Sequence, residues 1–545
     1  MFTGGPHNAA RWPASESVPP PEEAPTAVAV VGERIAAVGT DQELAVWRGP
    51  HTELVDARGG LVTAGFDDAH IHFQSGAVAL LGVQLARGAS LEQIQTQIRG
   101  YADERRERSW IVGRGWFYAA FPGGLPTRAQ LDAVVPDRPA LIDSFDSHNG
   151  WANSRALEVA GITRETPDPV GGVIVRDPST GEPTGALKEQ PATDLVRRHA
   201  PEPTEDEKLA ALRGACRLYA EQGLTSAQDA WAEPEDFELF SRLHGEGTPT
   251  ARIRLALKME PGQSERDWEG RLAEYEERAF PRRGDRWLRG GILKGFADGV
   301  VESGTAYLLE PYDNREGRGL PNWSDEELRS AVAIAHRRGW QVEVHAIGDG
   351  AVRQVLDAYE SLGPGEAGAR RHRVEHIETI DASDLPRFGQ LGVVASMQPY
   401  HADPDPVELA LWSEAIGQQR ARRGWPWKTI QAHGGRLCFG SDWPVRPFEP
   451  FPGLNAAVTR ATADGEPHGG WLPHERLDLS DALAAYTWGS AYAAHDESRR
   501  AVVAPGYLAD LAVLDRDLLR EGPGAILGTR VLMTVVGGRV VHRLI

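Results

Sequence analysis

Short apolar runs alternate along most of this chain with stretches whose apolar residues recur every three or four positions. The first kind reads as buried strand, the second as amphipathic helix. Strand-like runs fall at GLTSAQDA (223–230), RIRLALKM (252–259), GILKGFADG (291–299), QVEVHAIGD (341–349), RHRVEHIETI (371–380), GVVASMQP (392–399) and RLCFGSDWP (436–444). Among the helical stretches, SDEELRSAVAIAHRRG (324–339) opens on a capping box, Ser324 with Glu327, and closes on basic residues and Gly339. With a first strand at 61–66, strand–helix alternation repeats about eight times, which predicts a parallel α/β architecture best fitted by a (β/α)8 TIM-like barrel. The two ends differ from this middle. TAVAVVGERIAAVG (26–39), TELVDARGGLVTAG (52–65), GYLADLAVLD (506–515) and VLMTVVGGRVVHRLI (531–545) read as strands, with turns at Val31-Gly32-Glu33 and Gly537-Gly538. They predict one small sheet domain built from both termini, 1–64 plus 501–545, attached to a barrel domain at 65–500.

The spacing departs from a plain barrel in one place. The strands at 61–66 and 291–296 lie about 230 residues apart, where three units of ~30 residues would suffice. A large insertion therefore occupies roughly 100–215, and it carries Trp110, Trp116, Phe117, Tyr118, Phe121, Phe145 and Trp151. So many large rings suggest a lid or pocket wall, with Trp116 a candidate substrate contact. The alternative is a satellite core of the insertion's own.

Charge narrows the partners. Against 58 basic residues stand 78 acidic ones, a net charge of −20, which argues against nucleic acid and against an anionic membrane surface. Two cysteines, Cys216 and Cys438, exclude a disulfide scaffold and a Cys-rich zinc site. The opening residues 1–26 are polar and Pro-rich, expected to be poorly ordered, and lack the pattern of a signal peptide. Nowhere do eighteen apolar residues run together. A cytoplasmic protein acting on a small molecule is the expectation.

The candidate chemistry sits at strand ends. In LVTAGFDDAHIHF (61–73), His70 and His72 are two apart, so both rings point to one face of a strand. His345 ends the run QVEV, His376 ends RVE and Asp442 follows RLCFGS. Barrel active sites assemble at the C-terminal ends of strands, so these residues converge on one mouth. Lys294 lies within an apolar strand, where an unpaired ammonium is costly. It either pairs with an acid such as Asp298 or carries a carbamate formed with carbon dioxide, an anion able to bridge two cations. No G-x-S-x-G or HExxH pattern occurs to support a serine hydrolase or zincin.

The order H-x-H, Lys, His, His, Asp resembles the amidohydrolase superfamily. The stretches AGFDDAHIH, LKGFADGVVESGTAYL, VEVHAIGDGAV, HRVEHIET and FGSDWPV look like its YtcJ-like branch, amidohydrolase family 3, which includes N-substituted formamide deformylases. The resemblance covers 26 to 545; Ala64-Gly65-Phe66 stands where members often have Pro-Gly-Phe, and the leader is longer than usual. It implies the barrel and the terminal β-sandwich. It also implies that His70 and His72 hold the more buried metal, that carboxylated Lys294 bridges, that His345 and His376 hold a second metal, and that Asp442 binds the first metal and shuttles protons. Such ligands suit a divalent ion, zinc foremost, one or two per chain. DSFDSHNGWANSRAL (143–157) resembles a family segment in which His148 and Asn153 face the pocket, although Asn153 could instead cap the following helix. Glu189 matches a family acid of unassigned role, and Trp443 could shape the pocket wall. Analogy alone suggests a homodimer.

The implied activity is hydrolysis of a C–N bond in an N-acyl or N-formyl amine, with an apolar or aromatic substituent. Alternatives are a deaminase or cyclic-amide hydrolase on the same scaffold, and a non-catalytic binding or regulatory protein.

Overall fold

The computed structural model describes residues 25–86, 88–145, 148–169, 172–245 and 250–545. The expectation for the polar leader falls outside the described residues. The chain divides into two units, one of Met1–Phe73 with Ala215–Ile545, the other Gln74–Gly214.

The first unit holds eight parallel strands in sequence order around one sheet: β1 (Phe66–Ile71), β2 (Leu224–Ala232), β3 (Arg252–Lys258), β4 (Leu288–Phe296), β5 (Gln341–Ala346), β6 (Arg373–His376), β7 (Val394–Met397) and β8 (Arg436–Phe439). Each of the seven expected runs from 223 onwards overlaps one of them, with β2 ending past its run and β4 beginning before its own. The helix expected at 324–339 spans Asp325–Arg337; Ser324 Oγ accepts the Glu327 N–H, and Gly339 follows its end in the left-handed region (φ 90°).

The first barrel strand begins later than the apolar pattern suggests. Val62–Ala64 pairs with Leu511–Leu514 in an antiparallel terminal sheet, and β1 starts at Phe66. Every residue of β1 is buried, including Asp67 and Asp68, whose charges disguise the strand in the sequence. Asp67 pairs with the buried Arg500 at 2.7 Å, and Asp68 accepts the Ser441 N–H at 2.9 Å.

The seam between β8 and β1 closes through the loop after β8. Asp442 N–H donates to the His70 carbonyl at 2.7 Å, and His72 N–H to the Trp443 carbonyl at 2.8 Å. Gly440 makes this approach possible, because a Cβ there would stand 2.4 Å from the His70 nitrogen. The seam thus joins two candidate site residues by backbone hydrogen bonds.

Both termini build the small sheets. Ala27–Val31 pairs with Arg34–Gly39, and a four-stranded antiparallel sheet runs Arg539–Arg543, Val531–Val536, Leu511–Leu514, Val62–Ala64. Ile35, Val503, Leu511, Val513 and Met533 share one core between them. The two expected turns meet: Gly537 and Gly538 adopt φ 54° and 73°, and a Cβ on Gly538 would stand 1.8 Å from the Gly32 carbonyl oxygen.

The second unit begins at Gln74 rather than near residue 100 and has a six-stranded mixed sheet of its own. Trp116, Phe121 and Trp151 are buried together with Ile94, Ile98 and Leu131, and Trp110 packs in a second cluster with Leu141 and Leu157. Phe117 and Phe145 stack at 4.2 Å. The aromatic richness of the insertion is therefore largely that of a satellite core. Among the described residues no helix is long and apolar enough to cross a membrane.

Candidate metal centre

Strand alternation sets the first ligands. Asp68, His70 and His72 share a face, and the rings of His70 and His72 stand edge to face 5.6 Å apart. The Nε2 atoms of His70 and His72 lie 3.4 and 3.2 Å from Asp442 Oδ1. Around tetrahedral zinc with ~2.0–2.1 Å bonds, neighbouring donors stand about 3.3 Å apart, so these three atoms already have the spacing of a coordination face.

His376 joins them by breaking the alternation. Glu375 points into the barrel, where its carboxylate accepts the His70 Nδ1–H at 2.6 Å and the Arg373 Nε–H at 2.8 Å. A regular strand would send the next side chain outwards. His376 instead takes φ 74°, followed by Ile377 at 54°, and its buried ring comes within 4.8 Å of the His70 ring and 4.6 Å of the His345 ring. Asp442 is likewise left-handed, at φ 60°. Such backbone costs about 1–2 kcal/mol per non-glycine residue and clusters where function demands a geometry.

Several atoms here fit a cation. Asp442 Oδ1, His376 Nδ1 and His401 Nε2 are buried without a hydrogen-bond partner among the described residues. The groups His70–His72–Asp442 and His376–His401–Asp442 each bring three donor atoms within 4.8 Å of one another. Burial pulls the His72 and His376 imidazoles below the ordinary range, which favours the neutral form a ligand needs. Burial alone would raise the Asp442 carboxyl, but its contacts with His70 and His72 outweigh this and hold it well below the usual range.

Lys294 and His345 stand beside this core. Lys294, fully buried, has Nζ 3.5 Å from His70 Nε2 and 4.5 Å above the Phe296 ring. Asp298, its alternative partner, instead accepts the N–H groups of Tyr307, Ile347 and Gly348 at 2.8, 3.0 and 2.9 Å. His345 directs Nε2 at the Gly299 carbonyl, 3.1 Å away, with Asp298 Oδ1 at 3.5 Å.

Below the imidazoles lies a charged layer. Fully buried Arg373 donates to Glu375, to Gln228 Oε1 at 2.9 Å, to the Ala69 carbonyl at 2.6 Å and to Ser396 Oγ at 2.9 Å, and pairs with Glu343 at 3.2 Å. Against the upward push of burial, Arg373 and His70 hold the Glu375 carboxyl down at about 2. Glu375 therefore stays ionised and fixes His70 with Nδ1 protonated and Nε2 free to bind, the outer-shell arrangement usual for a ligating histidine.

The other expected residues make contacts of their own. In the second unit, His148 Nδ1–H donates to Glu189 Oε2 at 2.8 Å, so two motifs 41 residues apart meet. Trp116 is fully buried, its indole N–H bonded to the Ile142 carbonyl at 2.9 Å. Asn153 caps the helix Ser154–Val159 and bonds the Ala140 N–H and the Val135 and Arg138 carbonyls. The structure thus gives Trp116 and Asn153 packing and capping roles. Trp443 packs edge-on against Phe448 at 5.2 Å.

Sequence reasoning passed over His401, Glu375, Arg373 and Gln398. Glu375 and Arg373 carried a signal, being charges at alternate positions of the short strand that ends in His376. Gln398 continues the inward parity of Ser396 and is buried with both amide atoms unpaired among the described residues. His401 sits four residues beyond β7, where strand-end reasoning did not reach.

Known proteins resemble this chain over most of its length. The family model described as "Amidohydrolase family" matches residues 53–542. The chain is 30% identical over 506 residues to YtcJ of Bacillus subtilis (strain 168), covering 90% of this chain and 91% of the relative. It is 30% identical over 526 residues to the N-substituted formamide deformylase of Arthrobacter pascens, covering 94% of each. A crystal structure of an uncharacterized metal-dependent hydrolase from Pyrococcus furiosus matches with a TM-score of 0.68 at 25% identity, over 90% of this chain and 95% of that one.

Proposed function

This chain belongs to the amidohydrolase family, and from that premise we propose that it hydrolyses the C–N bond of a small N-formyl or N-acyl amine, with zinc as its metal. That it is a metal-dependent amidohydrolase follows from the family and the neighbouring folds. The observation that carries the metal-dependent part of this reading is the set of buried donor atoms around Asp442 that lack a hydrogen-bond partner among the described residues. The relative from Arthrobacter pascens bears the name of a formamide deformylase, which supports a formyl or acyl group as the part removed.

A divalent cation bound by His70, His72 and Asp442 supplies Lewis acidity and an acidified water near neutral pH. Asp442, held ionised by its contacts with His70 and His72, takes a proton from the attacking water. The water oxygen bonds to the acyl carbon, the C–N bond breaks, and Asp442 returns the proton to the departing nitrogen. The products are a carboxylic acid and an amine. Gln398, at the inward parity of β7, offers an amide to pair with the acyl group.

Lys294 in this reading carries a carbamate. Its amine adds to carbon dioxide, forming N–COO⁻ and releasing one proton. Its nearest partner is an imidazole nitrogen rather than a carboxylate, which leaves the amine open to this modification. Incubation with ¹³C-labelled bicarbonate should give a carbamate carbon resonance that disappears in Lys294→Met; its absence from the wild type refutes the modification.

The activity test uses zinc-loaded protein and N-formyl and N-acetyl amines. Their substituents run from alkyl to aryl, because the rings that suggested an apolar substituent serve largely as a separate core. Equimolar acid and amine should appear, cease on chelation and return with zinc. Metal-loaded protein that leaves the whole panel untouched, or that releases ammonia as its nitrogen product, overturns the reading, and ammonia would indicate deamination.

A further inference from the structure

We propose that His401 is a metal ligand, completing with His376 and Asp442 Oδ2 a second cation position. The inference rests on the amidohydrolase reading above and adds a ligand that the H-x-H, Lys, His, His, Asp pattern lacks.

A single 3₁₀ turn, Pro399–Ala402, follows β7 and carries His401 back over the strand ends. Pro399 at its start, with no N–H to satisfy, suits the first position of such a turn. The side chain is only 10% exposed, and Nε2 lies 3.6 Å from Asp442 Oδ2. His376 Nδ1 lies 4.0 Å from the same oxygen, and the two rings stack nearly parallel at 5.9 Å.

Neither nitrogen has a hydrogen-bond partner among the described residues. Leaving a buried acceptor unpaired costs about 1–3 kcal/mol, and here two such atoms face one carboxylate. A cation between them satisfies both at once. Behind His401, Nδ1 lies 3.9 Å from Glu378 Oε1, whose other oxygen accepts the Trp412 indole N–H at 3.0 Å. A carboxylate on the far side of an imidazole is the usual outer-shell companion of a ligand.

Asp442 then serves two positions with its two oxygens. Oδ1 faces His70 and His72, and Oδ2 faces His376 and His401. The two groups share no other residue. His401 thereby takes the place beside His376 that the family pattern gives to His345, whose Nε2 is directed at Gly299 and Asp298.

The test is cobalt titration of the chelator-stripped full chain, read by elemental analysis and absorption. Wild type should bind two Co²⁺ per chain and His401→Asn one. His401→Cys should add a thiolate-to-cobalt charge-transfer band, a positive signal that does not depend on losing anything. A wild type that saturates with one ion, a His401→Asn protein that holds two, or a His401→Cys protein without the band overturns the assignment. If the wild type takes up no Co²⁺ at all, it is the metal-dependent reading itself that fails.

Discussion

Asp442→Asn is expected to lower turnover by about 10²–10⁴-fold while the protein still carries metal. The side chain keeps its size and one oxygen donor, so the imidazoles of His70 and His72 retain a partner to share a cation with. What disappears is the proton carrier. Asp442 is buried and ionised, and its Oδ1 has no hydrogen-bond partner among the described residues. An amide in that place can neither accept the water's proton nor return one to the leaving nitrogen, which departs poorly as an anion. Turnover and metal content should be measured on the same preparation. If Asp442→Asn turns over like the wild type with its metal in place, another group carries the proton.

Arg373→Met should lower stability by about 3–5 kcal/mol, the range for removing one partner of a buried ion pair. Arg373 fills the barrel beneath the histidines and is fully buried, as is Glu375, while Glu343 is 1% exposed. Methionine fills much of the volume but removes the guanidinium that pairs with both Glu343 and Glu375. Glu375 would also lose the partner that keeps it ionised against burial, and with it its hold on the His70 Nδ1–H. Thermal unfolding of Arg373→Met should therefore begin well below the wild-type midpoint. Adding Glu343→Gln and Glu375→Gln should recover part of the loss, because neutral amides no longer repel. An unshifted midpoint would mean that the layer is relaxed by water or by proton uptake.

The eight-fold alternation was legible because buried parallel strands read as short apolar runs whatever their neighbours are. β1 was partly hidden, since Asp67 and Asp68 break its apolar pattern and only their distant partners Arg500 and Ser441 account for them. The helix after Ser324 was legible to within a residue or two because capping is local chemistry. The insertion was recognisable as an excess of residues, but rings that pack into a core and rings that line a pocket look alike in a sequence. Asn153 shows the same ambiguity: its capping of Ala156 resolves it, and that hydrogen bond spans three residues.

For the candidate site, spacing alone placed His70 with His72, and strand ends placed His345, His376 and Asp442 at one mouth. Residue types and local periods are properties of the chain itself, so the barrel and the terminal sheets could be read from it. The tertiary structure decided which atoms face each other. Left-handed backbone at His376 and Asp442 turns their side chains into the group, the turn after β7 brings in His401, and Arg373 selects the proton position on His70 through Glu375. Those outcomes depend on contacts between residues far apart in the chain, 305 positions for His70 and Glu375 and more for His70 and Asp442, and a one-dimensional pattern carries no record of such distances.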